Sequence, residues 1–218
     1  IFSVILLAMV IAPEIGHEVK GARRWLRFGP IRFQPSELAK LSCIILIAWW
    51  MAHIQRDPRT FREGLLIPGS FLGVFGLFIL VEPDFGTTIL LGAVGLSIMF
   101  VGGARLSYLL LAALAGTGGL AVLISQNQER LNRIVAFMDP LKYAEGEGFQ
   151  LLQALYAFVS GGAFGEGLGN SIQKHHYLPE AHTDFIYAIL GEELGLRGTM
   201  AVVLLYMIFF ICGMRISA

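Results

Sequence analysis

GTMAVVLLYMIFFICGMRI (Gly198–Ile216) carries a single charge, Arg215, at its far end. About 20 apolar residues coiled at about 1.5 Å per residue match the roughly 30 Å hydrocarbon core of a bilayer. In water such a helix would expose apolar surface all round. The same pattern recurs at Leu38–His53 (LAKLSCIILIAWWMAH), which ends in Trp49 and Trp50 as a span does at a membrane interface. It recurs again at Gly64–Val81, Thr87–Val101 and Ser107–Ser125, and Ile1–Ile15 reads as the end of one more. The pattern predicts an all-α fold, a polytopic transmembrane helix bundle. Composition agrees: 56% of the 218 residues are hydrophobic and 15% charged, against roughly 25% charged in a soluble domain. An ordinary cytosolic enzyme is excluded. So is a globally basic nucleic-acid binder, because 16 Lys and Arg balance 16 Asp and Glu.

The opening run is not a signal peptide, since no basic segment precedes it and no small-residue cleavage site follows. The sequence begins mid-pattern at Ile1 and stops just after Arg215, as an internal piece of a longer membrane protein does. Cys43 and Cys212 lie in apolar runs without a CxxC partner and read as small hydrophobes. Gly69, Gly73, Gly76, Gly92 and Gly95, inside two spans, predict close helix packing through small residues.

Alternating the spans sorts the connections onto two faces. One face carries His17–Glu37, Glu82–Gly86 and the long stretch Gln126–Asp184, with nine basic residues. The other carries Ile54–Glu63, Gly102–Leu106 and the C-terminal end, with five: Arg56, Arg59, Arg62, Arg105 and Arg215. By the positive-inside rule the first face is cytoplasmic, unless its positive charge serves an anionic ligand at the membrane surface.

Three constellations can carry chemistry. In LPEAHTDFIYAILGEELG (Leu178–Gly195), Asp184 opens an apolar helix as either its N-cap or a catalytic base. Glu180 lies one turn before it. Glu192 and Glu193 are expected to pair with Arg197. In GARRWLRFGPIRFQPSELAK (Gly21–Lys40), Arg23, Arg24, Arg27 and Arg32 alternate with aromatic residues that dip into the interface. The bland alternative is an interfacial anchor. Ser36 reads as a helix cap, with Glu37 and Lys40 able to pair on one face. In Glu82-Pro83-Asp84 a carboxylate is expected to cap the following helix. His175, His176 and His182 fit no zinc signature, and no metal site is assigned. LNRIVAFMDP (Leu131–Pro140) predicts an amphipathic surface helix, Gly146–Gly162 a short polar one, and the glycine-rich GGAFGEGLGN after it a tight turn.

GARRWLRFGPIRFQPSELAKL, VEPDFGTT, NRIVAFMDP and LGNSIQKHHYLPEAHTDFIYAILGEELG together resemble the SEDS family, the FtsW/RodA/SpoVE membrane proteins of bacterial cell-wall synthesis. The last block is closer to the FtsW and SpoVE branch. The resemblance implies ten membrane helices, of which about six to seven fall here in a single truncated domain, 1–218. It implies a long extracytoplasmic loop region at 126–184 and an active site facing outward at the division septum. The activity implied is a peptidoglycan glycosyltransferase polymerising lipid II, with a class B penicillin-binding protein and other division proteins as partners and no nucleic acid.

The acidic residue of the HTDF motif, here Asp184, is the catalytic residue the resemblance implies. Arg32, Glu37 and Lys40 match family positions lining the cavity. Arg23, Arg24, Glu180 and His182 complete the expected substrate-binding set. No cofactor is required, though a divalent cation, Mg or Mn, suits a pyrophosphate leaving group. The topology conflict resolves as well: the basic face becomes extracytoplasmic, and the pyrophosphate of lipid II is the anion it serves. The rival functions are a lipid II flippase or other transporter, and a non-catalytic division scaffold. Against a transporter, no pair of broken helices in related halves is visible in the sequence.

Overall fold

The computed structural model describes residues 2–12, 16–19, 22–28, 31–54, 56–146, 148–176 and 184–217. They fall into two compact units, Ile1–Leu123 and Ile124–Ala218. In the first, α1 (Phe2–Ile11) leads into strands β1 (Gly16–Val19), β2 (Ala22–Phe28) and β3 (Ile31–Phe33). Helices α2 (Pro35–His53), α3 (Ile67–Val81), α4 (Phe85–Val101) and α5 (Leu106–Ser125) follow. The second unit holds α6 (Gln128–Met138), α7 (Phe149–Gly161), α8 (Ile172–His176) and α9 (Ile186–Ser217).

Among the described residues, four helical stretches are long and apolar enough to cross a membrane: Pro35–His53, Arg62–Val81, Leu106–Ser125 and Ile186–Ile216. Helices α1 and α4 are shorter apolar ones. Helix α2 shows how such a helix is built. Ala39, Cys43, Ile47 and Met51, spaced at four residues, are buried against α1, α3 and α4. Leu41, Ile45 and Trp49 on the other face are exposed. Both faces are apolar, which water would penalise and lipid does not. Of the span glycines, Gly95 bears out close packing, since a Cβ there would lie 2.9 Å from Leu72 of α3. Gly73, Gly76 and Gly92 have no neighbour within 4 Å of that position, and Gly69 meets only Leu65 at 4.0 Å.

The basic connection after α1 differs from the expected anchor. It is a three-stranded antiparallel meander, β1-β2-β3. The physical reason lies in its period: Ala22–Phe28 alternates side chains across two faces, as a strand requires. Arg24 and Leu26 share one face, and Leu26 is 1% exposed. Trp25 and Arg27 share the other. Like charges stand opposite each other at Arg27↔Arg32, and opposite charges at Glu18↔Arg23. Helix α2 then starts at Pro35, not on a Ser36 cap: Gln34 is the N-cap, and Ser36 Oγ is buried without a partner. Proline suits this first position because its missing N–H has no helical acceptor to lose.

In the second unit, α7 packs on the start of α9 through Ala154, Ala157 and Ala188. The expected surface helix and short polar helix are present as α6 and α7. The last expected span begins earlier than Gly198: α9 starts at Ile186 and breaks at Gly195.

Candidate functional site

Two groups of polar residues are built, one in each unit. In the first unit, Arg24 reaches from β2 to the turn between α3 and α4. Its Nε donates to the Glu82 carbonyl (2.9 Å) and Nη2 to the Pro83 carbonyl (2.7 Å), while Nη1 lies 3.8 Å from Asp84 Oδ2. The sheet and the Glu82–Asp84 turn therefore lie at one end of the unit, as the alternation of spans predicts. Asp84 is the helix cap expected from sequence: Oδ1 accepts from Thr87 N–H (3.1 Å) and Oδ2 from the Thr87 hydroxyl (2.9 Å). Close by in sequence, Lys40 and Glu37 form the expected pair on α2, at 2.9 Å.

Strand alternation separates Arg24 from Arg27. Arg24 is engaged with the turn. Arg27 lies on the opposite face of β2, at the position paired with residue 32 of β3. Sequence reasoning left Arg27 out of the binding set. It stands three residues after Arg24, an odd spacing that puts the two on opposite faces of a strand.

Glu82 is the unexpected member. It is 1% exposed, and both carboxylate oxygens are buried without a hydrogen-bond partner. Burial, helped by the Asp84 charge and opposed by Arg24, pushes its pKa up to about 7. The folded chain thus holds a proton between about 4.5 and 7 that the unfolded chain releases. Stability falls as pH rises through that window and is level above it. Glu82→Gln is expected to flatten this dependence. Its gain should be near zero at pH 4 and up to about 3 kcal/mol at pH 8. Thermal unfolding of the whole protein across that range measures it.

In the second unit, Asp184 lies in the turn before α9, exposed, and among the described residues its carboxylate makes no hydrogen bond. The cap reading does not hold, because a cap would accept a backbone N–H of the first helical turn. Glu180 and His182 fall outside the described residues. Glu192 and Glu193 do not take Arg197 as their partner. Glu192 is 1% exposed; its Oε2 accepts from the Ser171 hydroxyl (2.5 Å) and Oε1 from Ile172 N–H (3.1 Å). Glu193 Oε1 lies 3.7 Å from Lys174 Nζ. Arg197 stacks over Phe164 at 3.8 Å. Both carboxylates therefore tie α9 to α8, the short helix upstream of Asp184. Sequence reasoning missed this because the partners lie about 20 residues away.

The glycine-rich stretch has a defined task. At Gly195 (φ 67°, ψ −164°) α9 breaks, which frees carbonyls on its first half. Glu166 N–H donates to the Glu192 carbonyl (2.9 Å), Gly167 N–H to the Glu193 carbonyl (3.0 Å), and Leu196 N–H to the Gly162 carbonyl (2.9 Å). The broken helix is thus satisfied by backbone. Among the described residues, no three His, Cys, Asp or Glu side chains are grouped as a metal site.

Comparison with known proteins places this chain. The FtsW/RodA/SpoVE family model, described as cell cycle protein, matches residues 1–218. A relative from Nitrosococcus halophilus described as "Probable peptidoglycan glycosyltransferase FtsW" is 49% identical over 204 residues, 94% of this chain and 52% of its own. A relative of the same description from Legionella pneumophila is 42% identical, covering 98% of this chain and 54% of its own. The chain spans about half the length of the curated relatives it matches. Among solved structures, one described as "Structural coordination of polymerization and crosslinking by a peptidoglycan synthase complex" aligns with TM-score 0.69 and 26% identity. It covers 95% of this chain and 56% of that one. Thermus thermophilus RodA shares the fold at TM-score 0.58 and 24% identity, over 95% of this chain and 50% of its own.

Proposed function

Because the chain belongs to the FtsW/RodA/SpoVE family of cell cycle proteins, we propose that it carries the site of a peptidoglycan glycosyltransferase that polymerises lipid II during bacterial division. The family match across the whole chain, with curated relatives of that description at 42–49% identity, carries the reading. The units act as parts of one membrane domain, with residues 126–184 as its extracytoplasmic loop region. The protein is an integral membrane protein; its site faces outward, at the septum.

In the proposed reaction the 4-hydroxyl of an incoming lipid II attacks the anomeric carbon of the growing chain. The C–O bond to pyrophosphate breaks, and undecaprenyl pyrophosphate leaves with the electron pair. Asp184 takes the hydroxyl proton. An exposed carboxylate with no hydrogen bond among the described residues suits that task, because its lone pairs are open to the substrate hydroxyl. By the family resemblance, the charge of the leaving pyrophosphate is assigned to Arg23, Arg32 and Lys40. Arg24 holds the α3–α4 turn beside them. Glu180 and His182 belong to the same sequence motif as the base.

No cofactor is required. A Mg or Mn ion brought by the pyrophosphate would keep most of its ligands as water and phosphate oxygens. A class B penicillin-binding protein crosslinks the product, and other division proteins recruit the pair. The break at Gly195 does not favour a transporter, since its freed carbonyls are consumed by Glu166 and Gly167 N–H rather than left for an ion.

The test is the product. The purified whole protein with its transpeptidase partner, given lipid II, should yield a ladder of glycan strands on a gel. Lipid movement across vesicles without any polymer would replace the reading with a flippase.

A further inference from the structure

The opposite end of the first unit carries a second basic surface, which the reaction does not use. The 54–63 connection after α2 and the 102–106 connection after α4 meet there. A Cβ at Gly64 would lie 1.9 Å from the Pro58 carbonyl oxygen and 3.3 Å from Ala104, so only glycine lets the two connections close on each other. Phe61 meets Tyr108 edge-on at 5.4 Å, and Arg105 lies 5.6 Å over the Tyr108 ring. The helix start between them is a π-turn, Arg62–Leu66, whose Glu63 carbonyl accepts from Trp50 Nε1 at 3.1 Å.

Charge at this end is in positive excess, with Arg56, Arg59, Arg62 and Arg105 against Asp57 and Glu63. Arg56, Arg59, Arg62 and Arg105 are all exposed. Arg56 has a partner, Glu63 at 3.5 Å, yet its side chain stays 71% exposed. Arg59 and Arg62 make no side-chain hydrogen bond or ion pair among the described residues. Arg24 at the other end shows what this chain does with an arginine it uses internally. Around the cluster, Trp49 (54% exposed) and Phe61 (49% exposed) stand at the ends of two helices long enough to span a membrane.

We propose that the 56–62 loop and the Arg105 turn form a binding surface for the phosphates of anionic phospholipids in the adjoining leaflet. Three arguments favour lipid as the occupant. The excess charge is positive and carried by arginine, whose planar fork grips phosphate in two hydrogen bonds. The unpaired guanidiniums sit at the ends of spanning helices, where headgroups lie. Aromatic rings at the same level match the belt that marks a headgroup layer. An acidic segment of a protein partner would need the charge but not the rings.

The test compares lipids in mixed micelles. The purified whole protein is melted with tetraoleoyl cardiolipin and with phosphatidylcholine. The native protein should gain a midpoint shift from cardiolipin that phosphatidylcholine does not give, and salt should shrink it. R59Q/R62Q/R105Q should lose at least half of that gain while matching the native midpoint in phosphatidylcholine. R59K/R62K should keep most of it. Because Arg105 also touches Tyr108, R59Q/R62Q alone serves where the triple variant is unstable. The proposal is overturned if the glutamine variants keep the full gain, or if both lipids act equally. It is also overturned if polyglutamate gives the shift and cardiolipin does not, which would assign the surface to a protein partner.

Discussion

Asp184→Asn in the whole protein is expected to reduce glycan polymerisation from lipid II by at least about 100-fold, the lower range for losing a general base. Three features make this substitution informative. The side chain is nearly isosteric. The residue is exposed and its carboxylate makes no hydrogen bond among the described residues, so the fold has little to lose. The amide keeps the acceptor oxygen but cannot take the 4-hydroxyl proton. The melting temperature should therefore stay close to the native value, and lipid II should still bind. Asp184→Glu keeps the base but displaces it by one methylene, and should recover part of the rate. A ladder of near native intensity from Asp184→Asn would remove Asp184 as the base. Unchanged growth with no polymer in any assay would instead favour a scaffold. Loss of polymer together with loss of lipid II binding would move Asp184 from base to binding residue.

What the sequence disclosed depended on how local each cause was. The spans of α2 and α9 were legible because apolar length is a local property with one physical reason. The Asp84 cap was legible because its donors, the Thr87 N–H and hydroxyl, lie three residues on. The meander was hidden behind its arginines: charge drew attention to Gly21–Lys40 as an anchor, while the two-residue alternation that makes β2 was present in the same letters. That alternation also separates Arg24, spent on the Glu82 and Pro83 carbonyls, from Arg27. Glu192 failed for the opposite reason. Proximity in sequence suggested Arg197, but burial at 1% exposure demanded donors, and Ser171 and Ile172 supplied them from a distant segment. Glu82 gave no signal at all. A Glu at a helix end looks solvated until packing closes over it.

Gly195→Ala is expected to be the most damaging single change to stability, at about 3 kcal/mol or more. Two costs add. The first is conformational: φ 67° with ψ −164° is a region that essentially only glycine occupies. The second is steric, because a Cβ there would lie 2.5 Å from Gly165 N and 2.7 Å from both Ala163 C and Phe164 N. These are backbone atoms, so no rotamer change relieves the contact. Relief requires the 162–167 strap to lift, which breaks the bonds from Glu166 and Gly167 N–H to the Glu192 and Glu193 carbonyls. Those carbonyls then face the membrane or protein interior unpaired. The same movement disturbs the Glu192 side chain that holds α8, so activity should fall along with stability. Hydrogen exchange at the Glu166 and Gly167 amides would report the lift directly. Gly213→Ala, in the same helix but with nothing within 4 Å of its Cβ position, is the control. It should be neutral or slightly stabilising, because alanine is the better helix former. Equal melting of the two variants would mean that α9 tolerates a continuous helix through Gly195. The strap would then be a consequence of the break rather than its partner.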